Sequence, residues 1–163
     1  MIKTAQLYED ELKRKFLETW YDDRYMFYSD GAGNCVNEFP DNNYEKHCFA
    51  SVDKNNDVIG YIEYWVNWSI RSANNFNIIS FDIGNMEFIM DVYKVINNIF
   101  CKYNFNRIEF FCVTGNPVIQ SYQKFIKRHG GRINGYSRQN CMTHDGKIRD
   151  SVMFEILKKE YKP

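Results

Sequence analysis

Apolar positions near the start of the chain recur at helical spacing. Leu12, Phe16 and Leu17 fall on one side and Glu9, Glu11, Lys13 and Lys15 on the others, which predicts an amphipathic helix from Tyr8 to about Trp20. From Tyr21 to Glu45 that period is lost in a stretch rich in Tyr, Asn, Asp and Gly, read as a long loop or a short helix flanked by loops. Strand character follows. His47–Val52 and the β-branched and aromatic run Val58–Val66 flank the turn Lys54-Asn55-Asn56-Asp57, which predicts a hairpin. Phe76–Ile83 reads as a further strand after an Asn-rich turn, Ser72–Asn75.

After Ile83-Gly84-Asn85 the period changes. Ile89, Val92, Tyr93, Ile96, Ile99 and Phe100 follow i, i+3, i+4 spacing, so a helix is expected from 86 to about 102. Asn104–Asn106 ends it, and Ile108–Val113 is a short apolar strand. Gly115-Asn116-Pro117 is a helix start, with Asn as cap and Pro at the first helical position. Val118, Tyr122, Phe125, Ile126 and His129 line one face of that helix until Gly130-Gly131 stops it. Arg132–Thr143 and Lys147–Leu157 then flank an Asp-Gly turn, a strong hairpin signal. The order is helix, three strands, helix, strand, helix, two strands. Its two strand–helix–strand crossovers require parallel pairs inside an otherwise antiparallel sheet, so the expected fold class is α+β with a central mixed sheet.

At 163 residues the chain is read as one domain, able to bury a core without disulfide or metal staples. An aromatic content of 17% excludes whole-chain disorder. No apolar run reaches the roughly 18 residues of a membrane span, and the acidic, helical start does not read as a secretory signal. The five cysteines, Cys35, Cys48, Cys101, Cys112 and Cys141, include no C-x-x-C pair and no zinc-finger spacing to histidine. No metal site is expected, and a reducing cytoplasm suits free thiols. The net charge of zero conceals an asymmetry. Residues 1–100 carry 9 Lys/Arg against 16 Asp/Glu, and residues 101–163 carry 12 against 5. Such halves suit a protein with a cationic partner on one side and an anionic one on the other, or two halves attracting each other within one fold. The long basic stripe of a nucleic-acid binder is absent.

The segments VDKNNDVIGYIEY, FDIGN, RIEFFCVTGNPVIQSYQKF, HGGRINGYSRQ and HDGKIRDSVMFEILKKEY, in this order, resemble the GNAT superfamily of acyl-CoA-dependent N-acetyltransferases over roughly residues 47–160. The likeness is nearest to the branch that includes the ribosomal-protein N-terminal acetyltransferases. The resemblance implies a single domain spanning 1–163, with 1–46 as the acceptor-side region and 47–163 as the acyl-CoA-binding core. In that fold the fourth and fifth strands, here Phe76–Ile83 and Ile108–Val113, splay apart, and the pantetheine arm of acetyl-CoA lies between them like an added strand. Helices cover both faces of the sheet. By the same resemblance Phe81 and Ile83 face the pantetheine. Gly84, Asn85 and Met86 approach the pyrophosphate at the following helix N-terminus, and Asn116 touches the arm.

Two features depart from the family pattern. The pyrophosphate loop of the family reads Gln/Arg-x-x-Gly-x-Gly/Ala, whereas here Ile83-Gly84-Asn85 passes almost directly into Met86-Glu87-Phe88, with one glycine. Either fewer amides suffice, helped by Lys124, Lys127 and Arg128, or the cradle is degenerate. The family's acid, a Tyr that protonates the departing thiolate, is matched by Tyr122, about one turn earlier than usual, with Ile126 at the expected place. The base candidates are Glu63 and Asp82, by position on the third and fourth strands. The aromatic and acidic stretch 21–46, with Asp22, Asp23, Asp30, Glu38, Asp41 and Glu45 against Arg24 and Lys46, suits a cationic amine. A polyamine, an aminoglycoside-like molecule, or a Lys or N-terminal amine of a peptide all fit it. The resulting expectation is a cytoplasmic, bacterial-type N-acetyltransferase acting by direct attack, with an oxyanion held by a backbone N–H of the fourth strand. A homodimer is possible, and neither nucleic acid nor membrane is an expected partner. The alternative is a catalytically silent domain of the same fold that binds a partner through the aromatic loop.

Overall fold

The computed structural model describes residues 1–28 and 43–163. In chain order the elements are β1 (Ile2–Thr4), α1 (Glu9–Thr19), β2 (Lys46–Val52), β3 (Val58–Asn67), β4 (Ser72–Ser80), α2 (Met86–Asn97), β5 (Arg107–Val113), α3 (Val118–His129), β6 (Arg132–Met142) and β7 (Ile148–Leu157). A 3-10 turn leads into α1, another spans Asp23–Tyr25, and a π-turn over Asn98–Lys102 prolongs α2. The seven strands form one sheet in the order β1-β2-β3-β4-β5-β7-β6. All neighbours are antiparallel except β4 and β5. This is the mixed α+β sheet expected from the element order, with one short strand, β1, added at its edge.

Each face of the sheet has its own core. On one face Leu12 and Phe16 of α1 pack on Cys48, Ala50, Tyr61 and Ile79. On the other, Phe88, Val95 and Ile96 of α2 and Ile126 of α3 pack on Ile62, Tyr64, Phe76, Phe110 and Phe154. Of the expected helical stripes Leu12, Phe16, Ile96, Ile99, Phe100, Ile126 and His129 are buried, whereas Leu17 and Ile89 are exposed, and in α2 Phe88 and Val95 make the contact instead. Gly60 makes the close approach of α2 possible. A Cβ there would stand 2.3 Å from the Phe88 ring and 2.9 Å from the Ile79 carbonyl. Gly130, at φ +88, ends α3 where a Cβ would lie 2.0 Å from the Glu160 carbonyl oxygen.

The β4 bounds differ from the sequence expectation. Ser72–Asn75, expected as a turn, is strand: Ser72, Ala73 and Asn74 pair with Asn67, Val66 and Trp65 of β3, and the strand ends at Ser80 instead of Ile83. The register slips between Glu63↔Asn77 and Trp65↔Asn74, so β4 carries an extra residue there. Asn75 sits in that bulge at φ 49, a conformation Asn tolerates better than most residues.

Candidate active site

Strands β4 and β5 are paired only at Ser72↔Arg107 and Ala73↔Ile108, the first residues of each. Beyond these the two parallel strands separate. β4 stays on β3 through Ser80, and β5 stays on β7 through Val113. Among the described residues the facing edges of β4 and β5 are therefore left without a strand partner, as the resemblance implied. The bulge at Asn75 lies two residues beyond Ala73, the last β4 residue paired with β5, where the strands part. A cleft lies in the opening. Its walls are Phe76, Asn77 and Ile78 from β4 and Phe111, Cys112 and Val113 from β5. Asn116, Val118 and Tyr122 lie at the helix end, and Phe27 and Tyr28 close one side.

The last two aromatic residues are held in place by local contacts. The Tyr25 hydroxyl donates to the Ser80 carbonyl at 2.8 Å, fastening the segment after α1 onto the end of β4. Tyr28 packs on Phe16, and the Arg149 guanidinium lies over the Phe27 ring. Part of the aromatic stretch anticipated on the acceptor side thus borders the cleft. Asp30, Glu38, Asp41 and Cys35 lie outside the described residues.

Among the residues singled out from sequence, Asn116 and Tyr122 are brought together in the cleft. Asn116 Oδ1 accepts the Val118 N–H at 3.0 Å just before α3, and Pro117, expected as the first helical residue, stands at the N-cap. Tyr122 is clasped edge-on by Phe110 (5.2 Å between centroids) and Phe154 (5.7 Å). Its hydroxyl makes no hydrogen bond among the described residues. Burial pushes its pKa above the ordinary tyrosine value, so the phenol stays protonated at neutral pH. Ile126, one turn on, belongs to the core. Burial likewise pushes the Cys112 thiol up to about 12, which leaves it a poor nucleophile although it lines the cleft.

Glu63 reaches the cleft through Asn77, its cross-strand partner, whose side-chain amide donates to Glu63 Oε1 at 3.3 Å. The Tyr61 hydroxyl and the Lys46 ammonium, each 2.8 Å away, hold Oε2. Lys46 also lies 5.0 Å from the centre of the Trp65 ring. Asn77 was not singled out from sequence. Its place follows from the β3–β4 register, which a bulge hides from any pattern in the chain.

Asp82, Phe81, Ile83, Gly84, Asn85, Met86 and Lys124 are not among the residues lining the cleft. Asp82 is past the end of β4, in an exposed turn. The Phe81 ring packs edge-on against Phe16, on the α1 side of the sheet. Ile83 and Met86 are exposed, and Lys124, Lys127 and Arg128 are exposed on α3. Asn85 caps α2, its Oδ1 accepting from the N–H groups of Glu87 (2.8 Å) and Phe88 (3.2 Å). Its amide in turn donates to Asp82 Oδ2 at 2.8 Å. Two of the N–H groups at the start of α2, those of Glu87 and Phe88, are thus occupied by a side chain. No group of three or more metal-ligating side chains occurs among the described residues. Nor is any helix among them long and apolar enough to cross a membrane.

No family model matches the sequence, and no curated protein matches it. Solved structures do. The spermidine/spermine N-acetyltransferase SpeG of Vibrio cholerae, solved with manganese ions, is 20% identical, with a TM-score of 0.63 over 72% of this chain and 68% of that one. A dodecameric structure of the Vibrio cholerae spermidine N-acetyltransferase in an intermediate state is 21% identical, with a TM-score of 0.63 over 72% of this chain and 67% of that one. A chimera built on the same Vibrio cholerae enzyme gives 19% identity and a TM-score of 0.62, over 72% of each chain. At this identity the likeness is one of fold.

Proposed function

The chain has the fold of the GNAT N-acetyltransferases, and we propose that it is such an enzyme, a single domain over residues 1–163 that moves an acetyl group from acetyl-CoA to a primary amine. The observation that carries this reading is the β4–β5 pair that opens after two residue pairs, with Tyr122 in the opening and its hydroxyl unpartnered among the described residues. In the transfer the amine nitrogen bonds to the thioester carbonyl carbon, the C–S bond breaks, and Tyr122 gives its proton to the leaving thiolate. The proton lost by the amine passes to Glu63, through a water beside Asn77. Asp82 is the weaker candidate for this role, because its carboxylate is engaged by Asn85 outside the cleft. A backbone N–H of β4 facing the slot stabilises the oxyanion. Asn116 borders the pantetheine arm.

The structural neighbours named for spermidine and spermine support a polyamine as acceptor. Aromatic rings, together with the Glu63 carboxylate close by, suit a cation. The dodecameric neighbour supports self-association. The free thiols of Cys101, Cys112 and Cys141 support a cytoplasmic home. The test is incubation with acetyl-CoA and a panel of spermidine, putrescine, an aminoglycoside and a lysine peptide, read by mass spectrometry. Acetylation of the polyamines ahead of the rest is the expected result. A silent panel, with no thioester bound in calorimetry, would turn the reading to a binding domain that has kept only the fold.

A further inference from the structure

We propose that this protein recognises its donor by the acyl-pantetheine arm, and that the N-terminus of α2 gives no hold to the diphosphate of CoA. The inference rests on the acyl-transfer reading above and concerns how that donor is held.

A helix start binds phosphate through its free N–H groups and the positive end of the helix dipole. In this chain the N–H groups of Glu87 and Phe88 both point at Asn85 Oδ1. Asn85 cannot easily turn away. Its Nδ2 is tied to Asp82 Oδ2, and its own N–H donates to the Asp82 carbonyl at 3.0 Å. The Ser80 hydroxyl bonds the same carbonyl at 2.6 Å, so the turn from the end of β4 to the cap is fixed at both ends. A phosphate arriving there would have to expel a neutral acceptor from two donors while facing the carboxylates of Asp82 and, in the first helical turn, Glu87. Helix stability favours those acids, but a bound polyanion does not. The side chains around the start are otherwise apolar and exposed: Ile83 (55%), Met86 (66%) and Met90 (62%). The cationic Lys124, Lys127 and Arg128 stand exposed on α3, and among the described residues none forms an ion pair with Asp82 or Glu87. One N–H at this start, that of Met86, has no partner among the described residues, too little to hold a diphosphate against two carboxylates, so the part of an acyl-CoA that the chain holds closely is the part between β4 and β5.

Calorimetric titration with acetyl-CoA, acetyl-pantetheine and 3′-phosphoadenosine 5′-diphosphate tests this, at about 0.3 M salt so that general attraction of phosphates to the basic half is screened. The expected result is that the two thioesters bind within about threefold of each other and the nucleotide does not bind. Asn85→Gly keeps a residue tolerated at a helix start while freeing both N–H groups. It should leave acetyl-pantetheine affinity unchanged and raise that for acetyl-CoA about tenfold. A wild-type preference for acetyl-CoA of about thirtyfold or more would overturn the inference, as would an Asn85→Gly protein, folded by its melting curve, whose ratio of affinities has not moved. Failure of both thioesters to bind would instead remove the acyl-transfer reading, and this inference with it.

Discussion

Replacing Tyr122 by Phe removes one oxygen atom and little else. The ring stays between Phe110 and Phe154, at 5.2 and 5.7 Å, so the edge-on packing is kept. The hydroxyl has no protein partner among the described residues, so its loss strands no donor or acceptor there. The stability change should therefore lie within about 1 kcal/mol of zero. Catalysis should respond very differently. A positioned general acid contributes about 10²–10⁴ in rate, so kcat for spermidine acetylation should fall by that factor. The thioester affinity should hold, because the lost group acts on the leaving sulfur only after the C–S bond begins to break. The assay is thiol release at saturating amine, beside calorimetry with acetyl-CoA and a thermal melt of the same preparation. A variant with the wild-type melt and kcat within about threefold of wild type would refute the acid role. Its phenol would then be an aromatic wall of the cleft.

Glu63→Gln leaves the Lys46 ammonium without its carboxylate and takes away the proton acceptor. A cost of roughly 2 kcal/mol in urea denaturation and a fall in kcat of about 10²-fold or more are expected, and an unchanged kcat would return Glu63 to a structural ion pair. Gly60→Ala drives a Cβ to 2.3 Å from the Phe88 ring and should destabilise the fold by about 3 kcal/mol, read by the denaturation midpoint; a neutral result would show that α2 can lift off the sheet. Burial raises the pKa of Tyr61, Tyr64 and Tyr122 above that of an unfolded tyrosine, near 10. The unfolded chain therefore loses these protons first, so stability is full below about pH 10 and falls as the pH rises beyond it, in melts recorded from pH 8 to 11. Tyr64→Phe should flatten that fall, and an unaltered slope would count against burial as its cause.

The elements that were legible in the sequence are those whose two sides differ. The helices α1, α2 and α3 each bury one stripe, and their residues, such as Leu12, Ile96 and Ile126, could be named from spacing. The residues β1 contributes, Ile2–Thr4, are too few to show a period. β4 was misplaced because Asn74 and Asn75 carry turn propensity, which the pairing partner β3 overrides. The slot itself could be reached only through the family resemblance, since nothing in Ser72–Ser80 or Arg107–Val113 signals that two parallel strands pair for two residues and then part. Asn85 is a different case. An Asn directly before a helical period is a strong cap signal, whereas the family resemblance assigns the same position to a phosphate loop.

The charge asymmetry of the chain acquires a physical reading from where its ion pairs fall. Lys46–Glu63, Lys13–Glu9, Arg14–Glu18 and Arg24–Asp22 lie within the acidic first hundred residues. Arg107 with Glu109 and Glu155, Arg132–Glu155, and Asp145 with Lys147 and Arg149 lie within the basic remainder. Among the described residues no side-chain ion pair joins the two halves. The fold therefore does not spend the asymmetry on neutralising itself by direct contacts. Each half forms its ion pairs internally, and the charges left over act on their surroundings through long-range forces. β4 belongs to the acidic half and β5 to the basic one, so the strands that part to form the cleft lie on either side of this division. Under the proposed function an ammonium-bearing acceptor is attracted to the acidic surplus and an anionic donor to the basic one, but neither surplus lies on the cleft strands, since β4 carries no charged residue and β5 only Arg107 and Glu109. That attraction is screened by salt within about 10 Å at 0.1 M. It acts on the rate of encounter, whereas close recognition of the donor falls to the uncharged slot.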